Sequence, residues 1–79
     1  MSIDSRQQIA HVARANGWQR VDPGRRTRSE YRRGASWLTV YYAPDHGVSL
    51  AEFSHSGAGR AVITGPDRLA RVLAELRRK

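Results

Sequence analysis

The sequence predicts an α+β domain: a two-layer sandwich of an N-terminal helix, an antiparallel meander of three or four strands and a C-terminal helix, with both helices on one sheet face. Three observations predict it. Leu69, Val72, Leu73 and Leu76 recur at i, i+3, i+4 and i+7 near the C-terminus. The stretch from Arg28 to Tyr42 alternates apolar and polar residues around Gly34-Ala35. A second turn signal, Pro44-Asp45-His46-Gly47, implies a strand register that agrees with the first.

At the N-terminus, Ser2, Asp4 and Ser5 offer helix caps, and Ile9, Val12 and Ala13 form a modest apolar stripe. Asn16-Gly17 is a stop signal, with Trp18 placed to fold back on the last turn, so the helix spans about residues 3–16. The segment 18–21 has room for a short strand. Asp22-Pro23-Gly24 then separates this unit from a basic hairpin.

Gly34-Ala35 fits a two-residue type II′ loop, which has glycine at its first central position. Arg33 then faces Ser36, Arg32 faces Trp37, Tyr31 faces Leu38, Glu30 faces Thr39, Ser29 faces Val40 and Arg28 faces Tyr41. Because side chains alternate, Tyr31, Leu38 and Val40 share a core face, and Arg28, Glu30, Arg32, Trp37, Thr39 and Tyr41 share the opposite one. The second turn pairs Ala43 with Val48. It also adds Ala51 and Phe53 to the core face and sets Leu50 and Glu52 beside Tyr41 and Thr39.

Ser56-Gly57-Ala58-Gly59 breaks the strand pattern, and Ala61-Val62-Ile63-Thr64 reads as a fourth strand. Pro66 occupies the first position of the last helix and Asp67 its first turn. Arg68, Arg71, Glu75 and Arg78 lie on its solvent side, and Arg77-Arg78-Lys79 complements its dipole.

With 79 residues, the chain is a single domain, 1–79, of a size at which one core supplies only roughly 3 to 5 kcal/mol. Cys is absent, which removes disulfides, thiol chemistry and cysteine metal sites and fits a reducing compartment. No apolar run is long enough to span a bilayer, and Met1-Ser2-Ile3-Asp4-Ser5 lacks the hydrophobic region of a signal peptide, so a cytoplasmic protein with no membrane partner is expected. The net charge of +7 favours polyanionic partners. Of the fourteen basic residues only Lys79 is not arginine, a bias that suits bidentate phosphate contacts and that a GC-rich coding genome also produces.

The residues give little support to catalysis. His11, His46 and His55 lack metal-pair spacing and nucleophile motifs and read as surface histidines. Asp4, Asp22, Asp45 and Asp67 sit at turns or helix starts, where capping accounts for them, and ion pairing with nearby arginines accounts for Glu30 and Glu52. The glycines around Ala58 precede a strand, whereas phosphate loops open a helix. No catalytic residue, metal or cofactor is therefore assigned, and a non-enzymatic binding module is expected. Its candidate surface is the face of Arg28, Arg32, Trp37 and Tyr41, with Arg25, Arg26 and Arg33 as neighbouring phosphate contacts for nucleic acid. The alternative is a protein-interaction face in which Trp37, Tyr41 and Leu50 pack against a second copy or a host protein.

Two resemblances add to this reading. The order helix, three strands, helix resembles the double-stranded RNA-binding domain. That family contacts RNA through its helices and loops, whereas here only Arg68 and Arg71 come after Pro66-Asp67 and the first hairpin turn is too short to reach a groove, so the function is not carried over. Ala13-Arg14-Ala15-Asn16-Gly17-Trp18, Tyr31-Arg32-Arg33-Gly34, the strand at 37–42 and Arg68-Leu69-Ala70-Arg71-Val72-Leu73 are similar to small proteins of actinobacterial bacteriophages, most of which lack an assigned function. That resemblance implies a bacterial cytoplasm and a role in redirecting the host.

Overall fold

The computed structural model describes residues 4–21, 27–45 and 47–78. Along the chain run α1 (Ser5–Ala15), β1 (Gln19–Arg20), β2 (Arg28–Arg33), β3 (Ser36–Tyr42), β4 (Val48–Ser54), β5 (Ala61–Ile63) and α2 (Arg68–Arg77). The strands form one antiparallel sheet in the order β1-β2-β3-β4-β5. The expected α+β sandwich is thus present, with five strands in place of three or four. The fifth is β1, the short strand for which 18–21 has room, where Gln19 pairs with Arg32 and Arg20 with Tyr31. Ser2, Ile3, Asp22, Pro23, Gly24, Arg25, Arg26, His46 and Lys79 lie outside the described residues.

Asp4 caps α1: its Oδ1 accepts from the Gln7 N–H at 2.8 Å. At the other end Gly17 adopts φ +82°, the Trp18 N–H donates to Ala13 O at 2.9 Å and the Gly17 N–H to Arg14 O at 3.3 Å. This pair of bonds is a Schellman closure, and it returns Trp18 toward the core as its position after Asn16-Gly17 predicts.

The β2–β3 register is the expected one at all six pairs, from Arg28↔Tyr41 to Arg33↔Ser36. Gly34 has φ +62° and Ala35 does not have positive φ, as a II′ loop requires. The β3–β4 pairs from Leu38↔Phe53 to Tyr41↔Leu50 also match. Beyond them the expected pairing of Ala43 with Val48 is replaced by Tyr42↔Val48, because a bulge shifts the register after Tyr41. The Ala43 N–H instead donates to Gly47 O at 2.8 Å. The shift serves burial: Val48 comes to the core face and is 6 % exposed, while the polar Ser49 is left outside.

Ile9, Ala13, Tyr31, Leu38, Val40 and Ala51 are buried between the layers, joined by Tyr42, Ile63, Val72 and Leu76. Phe53 is only partly buried against this core. α2 packs against β4 and β5, and α1 lies beside α2. Both helices end near the β2–β3 turn, since Trp18 Nε1 donates to Leu76 O at 2.9 Å. The helix N-termini and the β3–β4 turn are therefore at the opposite end.

α2 starts later than Pro66 suggests. Asp67 is its N-cap residue with φ 60° and ψ 31°, and its side chain makes no capping bond. Arg68 is half-buried, not solvated: Nε donates to Val48 O at 2.7 Å and Nη1 to Gly65 O at 2.9 Å. Arg71 Nη1 donates to Thr64 O at 2.8 Å. The arginines of the first turns thus pin the preceding loop to the helix.

His55 is likewise not a surface residue. Its Nε2 meets Glu75 Oε2 at 2.6 Å, and its ring stands 5.4 Å from Phe53 and 6.5 Å from Trp18. Arg33 also departs from the expected solvent position. Two residues after Tyr31, it points to the helix face, stacks over Trp18 at 4.7 Å, donates through Nη1 to Asn16 O at 3.0 Å and through Nη2 to Arg78 O.

These contacts make two substitutions informative for stability. Arg33→Ala is expected to lower unfolding free energy in urea by about 2–4 kcal/mol, with Arg33→Lys recovering only part, because one ammonium cannot reach both carbonyls and stack. Asp67→Gly is expected to stabilise by about 0.5–1 kcal/mol in the same measurement, since it relieves a left-handed residue and loses no side-chain cap.

Candidate nucleic-acid interface

The sheet face away from the helices is built by alternation alone. Its side chains fall into three rows across the strands. The row nearest the β2–β3 turn holds Gln19, Arg32, Trp37 and Ser54. The middle row holds Val21, Glu30, Thr39, Glu52 and Val62, and the far row Arg28, Tyr41 and Leu50. Each outer row thus sets an arginine directly across from an aromatic ring, and the acids lie between them.

Arg32 is exposed, whereas Trp37, Tyr41 and Leu50 are half-buried among their neighbours. Arg28 Nε lies 3.6 Å from Glu30 Oε1, and Arg60 Nη1 lies 3.6 Å from Glu52 Oε2. These pairs are long and only partly buried, so they contribute little to stability, but they leave Arg32 as the arginine of the face without an acid in an ion pair among the described residues. Val21, Glu30, Arg32, Trp37 and Thr39 surround a shallow hollow of about 170 Å³.

The structure therefore brings together Arg28, Arg32, Trp37, Tyr41 and Leu50 of the expected site. Arg33 stands on the other face with its guanidinium committed to two backbone carbonyls. Arg25 and Arg26 lie outside the described residues. Sequence reading missed Val21, just after β1, and Val62, on β5, which are 47 % and 48 % exposed at the two sides of this face. The signal for Val62 was present: it stands between Ala61 and Ile63, so burial of Ile63 turns it outward. The link from Arg60 to Glu52 was not readable without the pairing of β4 with β5.

Among the described residues no three His, Cys, Asp or Glu side chains are grouped to hold a metal ion. No helix among them is long and apolar enough to cross a membrane. Comparison with protein-family models, curated proteins and solved structures found no match.

The two tryptophans should report on the two faces separately. In Trp18→Phe the remaining Trp37 emission is expected to be quenched readily by acrylamide, and in Trp37→Phe the Trp18 emission, from a residue 5 % exposed, is expected to resist quenching. Equal quenching in both variants would refute this assignment of faces.

Proposed function

We propose that the protein is a small basic non-enzymatic binding module that holds single-stranded nucleic acid weakly on its open sheet face. The observation that carries this reading is the repetition of an arginine across from an aromatic ring, Arg32 with Trp37 and Arg28 with Tyr41, in two rows of one face that neither helix covers. Guanidinium groups contact phosphates, and the rings supply stacking surfaces that tolerate any base. The net charge of +7 supports it by attracting a polyanion from a distance.

A second reading is favoured by Val21 and Val62, which extend the apolar part of the face to both outer strands and leave it suited to a protein, either a second copy or a host partner. The two differ in what they require of salt. Counterion release makes nucleic-acid affinity fall steeply with ionic strength, whereas burial of Trp37, Tyr41 and Leu50 against a protein responds weakly.

Binding of unphosphorylated DNA and RNA oligonucleotides at two salt concentrations, with light scattering on the same samples, decides between them. Single strands are expected to bind better than duplex. Arg28→Ala with Arg32→Ala should lower affinity and flatten the salt dependence, and Trp37→Ala should lose about 1–3 kcal/mol per stacked base with little change in slope. Absence of binding at low salt, together with a dimer by scattering, would replace the nucleic-acid reading with the protein one.

A further inference from the structure

We propose that a second site, separate from the open face, lies at the end of the molecule where both helices terminate and binds a phosphate group. The β2–β3 turn, the start of the loop after β4 and Arg78 enclose a hollow of about 460 Å³ there. Its walls are basic, hydroxylic or small: Arg33 and Arg78, Ser36 and Ser56, His55, and Ala35 at the turn. No acid is among the described residues that line it.

The charge around the hollow is polarised. Arg14 and Arg77 sit in the last turns of the two helices, and Arg20, Arg32 and Arg33 lie on strand segments beside the turn. The acids Asp4, Asp45 and Asp67 lie at the opposite end, and Glu75, the acid beside the hollow, is paired with His55 and Arg78. Two helix C-termini would ordinarily repel an anion. Here the guanidinium of Arg33 satisfies the carbonyls of Asn16 and Arg78 and offsets their negative charge, so the helix ends no longer oppose an anion.

Two groups are placed to receive the ligand. The side chain of Arg78 is 64 % exposed, and its 3.7 Å contact with Glu75 Oε2 is long and solvated, so an anion can take it over. Ser36 is 7 % exposed, and its Oγ accepts from the Ser56 N–H at 3.1 Å, which leaves the hydroxyl proton to donate into the hollow. Glu75 is already shared with His55 at 2.6 Å, so release of Arg78 does not strand a carboxylate. A phosphate monoester has the charge and the acceptor oxygens for this set. It can come from the end of a nucleic-acid strand or from a free phosphorylated small molecule.

The test is titration of the ¹⁵N-labelled protein with inorganic phosphate at constant ionic strength, and then with a 5′-phosphorylated oligonucleotide and its unphosphorylated counterpart. Saturable amide shifts at Gly34, Ala35, Ser36 and Ser56 are expected, stronger than any at Arg6 or Arg71. Arg78→Gln should weaken phosphate binding about tenfold, the loss of one charge-assisted contact, while keeping the backbone carbonyl that Arg33 uses. Ala35→Glu places an acid at the rim of an exposed turn and should abolish the shifts without unfolding the protein. A preference for the 5′-phosphorylated oligonucleotide assigns the ligand to a strand end, and equal response to both oligonucleotides with retained phosphate shifts assigns it to a small molecule. Unsaturable or evenly spread shifts, or wild-type binding by Ala35→Glu, would overturn the site whatever the oligonucleotides do on the open face.

Discussion

The arrangement of the two layers depends on one arginine. Arg33 is the last residue of β2, and from there its guanidinium reaches the capping carbonyls of both helices while lying 4.7 Å over the Trp18 ring. Trp18 in turn donates to Leu76 O, so the hairpin, α1 and α2 are tied at a single point. Only a planar cation with several fixed donors can do all of this at once. It also meets the partial negative charge of two helix C-termini, which converge here because β5 returns the chain to the far end, where α1 also starts, before α2 runs back. Fixing Arg33 inward determines its neighbour: Arg32 must project from the opposite face, beside Trp37. The candidate interface is thus a consequence of the same constraint that closes the core.

Much of the sheet was legible because two turns specify the register from different ends and agree at Val40↔Ala51 and Leu38↔Phe53. Local chemistry also sufficed for the α1 stop, where Gly17 supplies the left-handed residue and Trp18 the returning side chain. What stayed illegible was long-range. The role of Arg33 rests on carbonyls that only the assembled helices bring to it, and alternation from Tyr31, which does turn it inward, competes with the solvation expected of an arginine beside a turn. The bulge after Tyr41 arises from a choice between burying Val48 and burying Ser49, which the turn motif does not encode. Pro66 misled for a related reason: Arg68 and Arg71 bind the preceding carbonyls and hold that segment as a loop, so the helix begins after a left-handed Asp67.

The same contrast holds at the candidate site. Composition predicted a basic, aromatic surface, but it could not distribute the charge. Arg33, Arg68 and Arg71 make hydrogen bonds within the fold, Arg6 lies over the Tyr42 ring, Arg28 and Arg60 lean on acids of the open face, and Arg78 holds Glu75 only loosely. Net charge therefore overstates how many guanidinium groups are available to a ligand. The charge that is left over is uneven, with Arg32 on the face and Arg14 and Arg77 near the helix ends.

Under the proposed function, sheet width decides which nucleic acid the open face would accept. Five strands have four gaps of about 4.8 Å, so the surface is about 19 Å across, wider than the roughly 12 Å major groove that admits a helix or a two-stranded ribbon. A duplex could touch such a surface only through its outermost phosphates, where Trp37 and Tyr41, half-sunk between neighbours, would gain nothing. Unpaired bases can lie flat on the rings while the backbone passes an arginine in each outer row. The acids Glu30 and Glu52 in the middle row oppose a phosphate chain that crosses the sheet centre. A strand bound as proposed would therefore be steered along one outer row, and of the two the Arg32–Trp37 row would be favoured, because Arg32 is exposed and Arg28 already faces Glu30 at 3.6 Å.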